Sequence, residues 1–161
     1  MTTPAIDRFL AAAAAVGVTV EVARFPEGTR TAADAAAAIG CELGAIVKSL
    51  VFVAESTTRG PQAVMALVSG ANRADTAKLA EHFSAERVRQ ANADEVRAAT
   101  GFAIGGTPPI GHVTDVAMVI DEDLLHFTQV WAAAGSPDSV WPVTPSDLVA
   151  VTGAPVVRVK P

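Results

Sequence analysis

The sequence has few of the residues on which several common kinds of protein depend. Its 161 residues include no tyrosine and a single cysteine, Cys41. Because a disulfide needs two cysteines, an internal disulfide is excluded. A lone thiol is more typical of the reducing cytosol than of a secreted scaffold, and we interpret Cys41 as a small buried apolar side chain. No apolar run approaches the roughly 18 residues of a membrane-spanning helix, and the charged pair Asp7 and Arg8 interrupts any signal-peptide pattern. We therefore expect a cytoplasmic protein that makes no membrane contact.

Basic charge is also scarce. The chain carries 17 Asp and Glu against 12 Lys and Arg, a net charge of -5, which leaves no broad basic surface for nucleic acid. We expect no DNA binding, and we expect any RNA contact to be local. The three histidines, His82, His112 and His126, lack the spacing of metal ligands. We expect neither a metal nor another cofactor.

Apolar residues make up 50% of the chain and charged residues 18%, a balance typical of one globular domain over residues 1–161. Capping signals and glycine terminators predict helices near 4–16, 31–40, 74–83, 92–101 and 144–153. Alternating or β-rich runs predict strands at 18–25, 45–54, 62–69, 113–120, 127–134, 139–143 and 155–159, the second and third forming a hairpin. Because helices and strands mix without strict βαβ alternation, we expect an α/β fold with a central mixed, partly barrel-like sheet surrounded by helices.

Lys48 is unusual because it lies within a strand, "IVKSLVFV", whose residues are apolar on both faces. Ile46 and Leu50 share its face, whereas Val47 and Val51 share the face of Ser49. Burial of an ammonium group without a partner is costly. Either Lys48 reaches water from the end of the strand, or it points into a cavity where an anionic or carbonyl ligand meets it. The strand alone leaves both interpretations open.

The loop "GFAIGGTPPIGH", residues 101–112, concentrates glycine and proline. Gly105 and Gly106 permit positive φ and close approach of another group, and the two prolines that follow stiffen the chain. The free amides of this loop suit a carbonyl oxygen, an oxyanion or a phosphate. A tight turn between a helix and a strand is the alternative. The loop lacks the context of a P-loop or of a dinucleotide fingerprint.

Side-chain nucleophiles are not indicated, because no serine has the sequence context of a nucleophile elbow. His112, at the end of the glycine loop, is either an acid or base of a site or a histidine with a structural hydrogen bond. Phe127, Trp131 and Trp141 lie in apolar strand patterns and are predicted to belong to the core.

Four stretches, "VKSLVF", "VSGANRADTAKLAE", "ANADEVRAATGFAIGGTPPIGH" and "WAAAGSPDSVWPVTPSDLVAVTGA", together resemble the YbaK/EbsC family. This family is related to the editing insertion domain of bacterial prolyl-tRNA synthetase, and the resemblance runs over roughly residues 18–155. In the family, a lysine in a "KTLVF"-like strand and a Gly-x-x-x-Pro loop frame the active pocket, and here they match Lys48 and residues 105–109. The resemblance implies hydrolysis of the ester that joins a wrong amino acid to the 3′ end of a transfer RNA.

The resemblance also implies roles for individual residues, with Lys48 and Gly105 as the catalytic pair. Lys48 would hold the phosphate or ribose of the terminal nucleotide, and amides near Gly105 would bind the oxygen that becomes negative. A water molecule or a group of the substrate would attack. The residues expected to bind substrate are Phe25, Ser49, Gly106, Thr107, Pro108, Pro109, Ile110, Gly111, His112 and Val140.

Two positions bear on the amino acid removed. Some family members that act on cysteinyl-tRNA carry threonine after the lysine and aspartate in the strand before the last helix, where this chain has Ser49 and Val140. A small side chain such as alanine or serine, carried on proline tRNA, is therefore as good a candidate as cysteine. The implied partners are the acceptor end of tRNA and, as a candidate, an aminoacyl-tRNA synthetase. A binding module without hydrolysis and a hydrolase of another small acyl ester are the alternatives.

Overall fold

The computed structural model describes residues 3–25 and 31–161. The helices within these ranges are α1 (Pro4–Ala15), α2 (Ala32–Ile39), α3 (Thr76–His82), α4 (Ala93–Thr100) and α5 (Pro145–Thr152). The strands are β1 (Ala23–Arg24), β2 (Val47–Glu55), β3 (Gln62–Ser69), β4 (Arg87–Gln90), β5 (Ala117–Asp121), β6 (Val130–Ala133), β7 (Ser139–Val143) and β8 (Val156–Val157). Short 3₁₀ helices cover Leu43–Ala45 and Glu122–His126.

Local capping signals account for the helix ends. Helices α2 and α4 begin with capping boxes, in which Thr31 pairs with Asp34 and Asn92 pairs with Glu95. Helix α4 ends at Gly101, whose φ of 81° is readily adopted by glycine but not by residues with a Cβ. The helices therefore form close to the residues that the sequence predicts.

The strands form two sheets. The larger sheet has the order β4-β2-β3-β5-β8, in which the β3–β5 and β5–β8 pairs are parallel and the others antiparallel. The smaller sheet, β1-β7-β6, is antiparallel throughout. A parallel bridge between Ile46 and Trp131 links the two sheets without closing a barrel. The prediction of a mixed, partly barrel-like sheet with helices around it is confirmed.

The structure corrects two strand predictions. Only Ala23 and Arg24 of the predicted strand 18–25 pair with another strand, although Val18, Val20 and Val22 do pack against the core. An alternating apolar and polar pattern indicates which side chains are half-buried, but it does not ensure that the segment pairs with another strand. Strand β4, with the sequence RVRQ, is missed because its arginines lie at the edge of the sheet and give no apolar pattern.

Two apolar cores enclose the larger sheet. The main core contains Phe9, Met65, Phe102 and Trp141, and it lies on the face of β2 that carries Val47 and Val51. The second core lies on the opposite face and is built from Phe52, Ala54, Val64, Ala66, Val68, Leu79, Val88, Val119 and Val159. Strand β2 is thus covered on both sides, which is the setting that makes a lysine within it unusual.

The predicted core aromatics pack as expected, because Trp141 is 1% exposed and Phe127 and Trp131 pack against buried clusters. Cys41 is half-buried beside the small cluster of Ala35, Ala36 and Ile46, and burial raises the pKa of its thiol. It is therefore less buried than predicted.

Candidate active site

A cavity of about 630 Å³ lies between β2, the loop after α4 and the loop that joins β6 to β7. Its volume is within the usual range of small-ligand sites. Most of its lining is apolar. The polar or charged side chains and the glycine that contribute to it are Thr31, Lys48, Ser49, Gln90, Gly105, Thr107, Asp138 and Ser139.

The structure brings the two sequence motifs to this one cavity. Among the residues expected in the site, Lys48, Ser49, Gly105, Thr107 and Val140 line it. The others do not line it, namely Phe25, Gly106, Pro108, Pro109, Ile110, Gly111 and His112. The lysine strand and the glycine loop, which lie far apart in the chain, therefore share a single concave surface.

Lys48 is half-buried and bonded to the main chain. Its Nζ donates to the carbonyl oxygen of Asn72 at 2.5 Å. The side chain of Asn72 is held in turn, since its Nδ2 donates to Asp121 at 2.9 Å and to Asp123 at 2.7 Å. Burial lowers the pKa of Lys48, and the nearby negative charge of Asp121 opposes that shift. The hydrogen bonds that link Lys48 to Asn72, and Asn72 to the two aspartates, therefore hold the ammonium group in place, and it does not extend freely into water.

Gly105 is favoured by its backbone conformation, and Gly106 is required by packing between two loops. Gly105 has a φ of 83°, and a Cβ on Gly106 would lie 2.8 Å from the main-chain Cα and carbonyl carbon of Ser136. The N–H of Gly106 donates to Ala103 O at 3.0 Å and is therefore already used. Within the described part of the chain, the N–H groups of Gly105 and Thr107 have no hydrogen-bond partner. These two amides, unlike that of Gly106, have no acceptor within the protein.

The far end of the glycine loop is closed by a hydrogen bond. His112 is partly buried, and its Nε2 donates to the carbonyl oxygen of Pro108 at 2.7 Å. Burial lowers the pKa of His112, although this hydrogen bond opposes the shift. The geometry fits a histidine with a structural hydrogen bond.

Asp138 is a cavity residue that the sequence patterns do not identify. Its Oδ1 accepts from Ser136 Oγ at 2.6 Å and its Oδ2 accepts from Arg24 Nη2 at 2.9 Å. The hydrogen bond from Ser136 is the largest cause that lowers the pKa of Asp138, and Arg24 adds to it, so the carboxyl is ionised at neutral pH. Asp138 lies in a stretch that carries the family resemblance, but the local signal at this position is only the turn-forming run Ser-Pro-Asp between two strands.

Ser49, another residue of the cavity, has an unsatisfied hydroxyl. Its Oγ is buried, has no hydrogen-bond partner among the described residues, and belongs to a residue that lines the cavity. Burial of an unpaired hydroxyl costs about 1–3 kcal/mol.

Two kinds of feature are absent from residues 3–25 and 31–161. No group of three or more His, Cys, Asp or Glu side chains is placed to hold a metal ion. No helix there has the length and hydropathy needed to cross a bilayer.

These features define an α/β domain that offers an ammonium group, a carboxylate and free main-chain amides to a small ligand. The chain belongs to the family of aminoacyl-tRNA editing domains, which it matches over residues 26–151.

Three relatives agree with this assignment. A solved structure described as a candidate trans-editing enzyme for prolyl-tRNA synthetase has a TM-score of 0.92 and 45% identity, covering 100% of this chain and 99% of that one. The candidate Cys-tRNA(Pro)/Cys-tRNA(Cys) deacylase EbsC of Enterococcus faecalis is 28% identical over 122 residues, which is 76% of this chain and 72% of EbsC. Proline–tRNA ligase of Limosilactobacillus fermentum is 30% identical over 97 residues, 60% of this chain but only 17% of the ligase.

The comparisons confirm the predicted family, the predicted fold and the predicted class of reaction. The family consists of aminoacyl-tRNA editing domains, and two of the relatives are described as a candidate deacylase and a candidate trans-editing enzyme. The chain is accordingly a trans-editing aminoacyl-tRNA deacylase, that is, a hydrolase of the ester in mischarged tRNA. Aminoacyl-tRNA is accordingly the class of substrate.

Proposed function

We propose that the mischarged ester is hydrolysed in the cavity of about 630 Å³, with Lys48 and Gly105 as the catalytic residues. The observation that carries this proposal is that both residues line that one cavity, although 57 positions of sequence separate residue 48 from residue 105. The remaining arrangement of the cavity is consistent with ester hydrolysis by positioning and electrostatic stabilisation, without a side-chain nucleophile.

In this mechanism Lys48 orients the end of the tRNA. Its Nζ, held beside Asn72 O, has further N–H groups to donate to the terminal phosphate or ribose. The amides of Gly105 and Thr107 donate to the ester carbonyl oxygen as it becomes negative, and one such donor is typically worth about 3 kcal/mol of transition-state stabilisation. Water or a substrate group attacks the carbonyl carbon, the bond to the ribose oxygen breaks, and that oxygen leaves with a proton.

The amino acid removed is proposed to be small. Val140 and Ser49 line the cavity in the places where the cysteinyl-specific relatives are expected to carry aspartate and threonine. Alanine or serine on proline tRNA fits this lining, and the likeness to a candidate trans-editing enzyme for prolyl-tRNA synthetase supports proline tRNA. Several residues of the glycine loop do not line the cavity and are proposed to act by shaping the loop, namely Gly106, Pro108, Pro109, Ile110, Gly111 and His112. Phe25 is proposed to support the loop that carries Asp138, because the N–H of Phe25 donates to the carbonyl oxygen of Asp138 at 2.8 Å.

A synthetase is the proposed protein partner. The net charge of -5 provides little general attraction for RNA, so the cavity engages the acceptor end alone. A prolyl-tRNA synthetase that holds the rest of the tRNA would supply the missing affinity.

The proposal is tested with a panel of mischarged tRNAs and the variants Lys48→Ala and Gly105→Ala. Lys78→Ala is the matched control, because Lys78 also donates its Nζ to a main-chain oxygen, that of Lys160 at 2.9 Å, but lies on α3 and does not line the cavity. We expect the wild type and Lys78→Ala to hydrolyse at least one mischarged tRNA, and Lys48→Ala to lose about 100-fold or more in kcat/KM.

Unchanged hydrolysis by Lys48→Ala would remove Lys48 from the mechanism. A rise in melting temperature with aminoacyl-tRNA fragments, but no turnover across the whole panel, would instead identify a binding module.

A further inference from the structure

The cavity contains an ionised carboxylate that the hydrolysis itself does not require. Asp138 lines the cavity, and its side chain is 28% exposed. A negative charge near a developing oxyanion opposes the reaction by Coulomb repulsion. A cationic group in the ligand, placed beside this carboxylate, would offset that repulsion.

The hydrogen bonds of Asp138 leave it able to accept more. Ser136 Oγ occupies one position on Oδ1, and Arg24 Nη2 occupies one on Oδ2. The carboxylate has about four acceptor positions in all, and the N–H of Asp138 itself also interacts with it, so at least one position is free with respect to the described residues. The Ser136 hydroxyl, which also lies 2.8 Å from Ser139 Oγ, fixes the orientation of the carboxylate.

The carboxylate and the glycine loop are neighbours. A Cβ placed on Gly105 would lie 3.9 Å from Pro137 Cβ, and Gly106 packs directly on the main chain of Ser136. A carbonyl group bound at the amide of Gly105 therefore lies beside the loop that carries Asp138. In an aminoacyl ester, the atom bonded to that carbonyl carbon is the α-carbon, which bears an ammonium group.

We propose that Asp138 binds the α-ammonium group of the aminoacyl ester, with Ser136 and Arg24 as positioning residues. This inference rests on the proposed function, because it takes the aminoacyl ester as the ligand of the cavity. It assigns the two charged side chains to opposite ends of one substrate: Lys48 to the nucleotide and Asp138 to the amino acid. An ester that lacks the amine would then bind less well for electrostatic reasons alone.

The test compares the amino acid that the wild type removes with its α-hydroxy analogue on the same tRNA. The analogue replaces the ammonium group by a neutral hydroxyl of similar size, for example lactyl-tRNA in place of alanyl-tRNA. The value of kcat/KM is measured for wild type, Asp138→Asn, Ser136→Ala and the control Asp94→Asn, whose carboxylate is exposed on the first turn of α4. Each rate is corrected for spontaneous hydrolysis of the ester.

We expect Asp138→Asn to lose about 10- to 100-fold on the aminoacyl ester, the usual range for a hydrogen bond to a charged group, and less than about 3-fold on the hydroxyacyl ester. Ser136→Ala should also lose more kcat/KM on the aminoacyl ester than on the hydroxyacyl ester, but the loss should be smaller. If Asp138→Asn does not fold, the result for Ser136→Ala tests the inference in its place. Asp94→Asn should match wild type on both esters. Equal losses on the two esters, or no loss on either, would overturn the inference. Absence of hydrolysis by the wild type on every mischarged tRNA would instead refute the proposed function.

Discussion

The two walls of the cavity hold their charged groups in different ways. On the sheet wall, Lys48 is located by the antiparallel register of β2 against β3, where it faces Val68, and by the carbonyl oxygen of Asn72. On the loop wall, Asp138 is located by side chains, those of Ser136 and Arg24, and by close packing against the glycine loop. The sheet wall therefore depends on main-chain pairing, which tolerates changes of side chain. The loop wall depends on the absence of side chains at particular glycines, and small substitutions should disturb it.

The largest expected effect comes from removing the cation of the sheet wall. Lys48→Met should reduce kcat/KM by about 100-fold or more while changing the melting temperature by less than about 3 °C. Burial lowers the pKa of Lys48, so the folded state disfavours the ammonium form, and its removal relieves that cost while losing one hydrogen bond. Deacylation assays and thermal melts test this, and a parallel loss of activity and stability would show that the residue is chiefly structural.

The loop wall should respond to added volume. Gly106→Ala places a Cβ 2.8 Å from main-chain atoms of Ser136, and the loops must separate. We expect a loss of about 1–3 kcal/mol in the free energy of unfolding, measured in urea, together with at least about a 10-fold loss in kcat/KM.

Gly105→Ala is the comparison for Gly106→Ala. The Cβ of this alanine would have no neighbour nearer than 3.9 Å. We expect the free energy of unfolding to fall by about 1–2 kcal/mol, only because a residue with a Cβ must adopt a φ of 83°. A larger loss of stability for Gly105→Ala than for Gly106→Ala would contradict the argument that packing between loops shapes this wall.

A smaller effect of opposite sign is expected from the unsatisfied hydroxyl on the sheet wall. Ser49→Ala removes a buried oxygen that has no partner among the described residues, and should raise the free energy of unfolding by about 0.5–1 kcal/mol. Ser69→Ala is the matched control, because Ser69 Oγ is also buried but donates to Gly44 O at 2.7 Å. It should lose about 1 kcal/mol in the same urea titration. The same sign for both variants would refute this distinction.

The smallest effect concerns a link outside the cavity, between β4 and the helix that precedes the glycine loop. Arg89 binds Glu95 through two hydrogen bonds of 2.9 Å, and this holds the pKa of Glu95 at about 2, below its ordinary 4.5. Because the folded pKa is depressed, the stabilisation is present above pH 4.5 and is lost as pH falls toward 2.

Glu95→Gln should therefore have a lower melting temperature than wild type at neutral pH and a flatter profile below pH 4.5. Melting temperatures recorded across this range test the prediction. Parallel profiles for the two proteins would show that the pair with Arg89 does not contribute.

Sequence patterns predict those parts of the fold that depend on neighbours in the chain. The capping boxes at Thr31 and Asn92 each need only the next three residues, so the helix starts follow from local chemistry. The apolar pattern around Lys48 indicates a strand covered on both faces, which the two cores confirm. The assignment of Lys48 and Gly105 to the reaction stays a prediction, although the cavity that they share agrees with it.

Other features could not be predicted because they depend on contacts between distant segments. Strand β4 pairs with β2 across more than 30 residues, as in the pair Val53 and Arg89, and its own sequence is too polar to indicate a strand. Asn72 and Asp138 lie in stretches that carry the family resemblance, but no local pattern marks either side chain, and each acquires its place only when a distant strand or loop packs beside it.

The properties of a few adjacent residues are sufficient to predict where the helices and the central hairpin form, which lysine is unusual, and which loop is rich in glycine. Local patterns do not show which of these segments meet: the family resemblance implies that the lysine and the glycine loop frame one pocket, and the tertiary structure adds the carboxylate of Asp138 to the same cavity. The physical reason is that the sheet register and the contact between the 105–107 and 136–138 loops join segments whose separation along the chain carries no local signal.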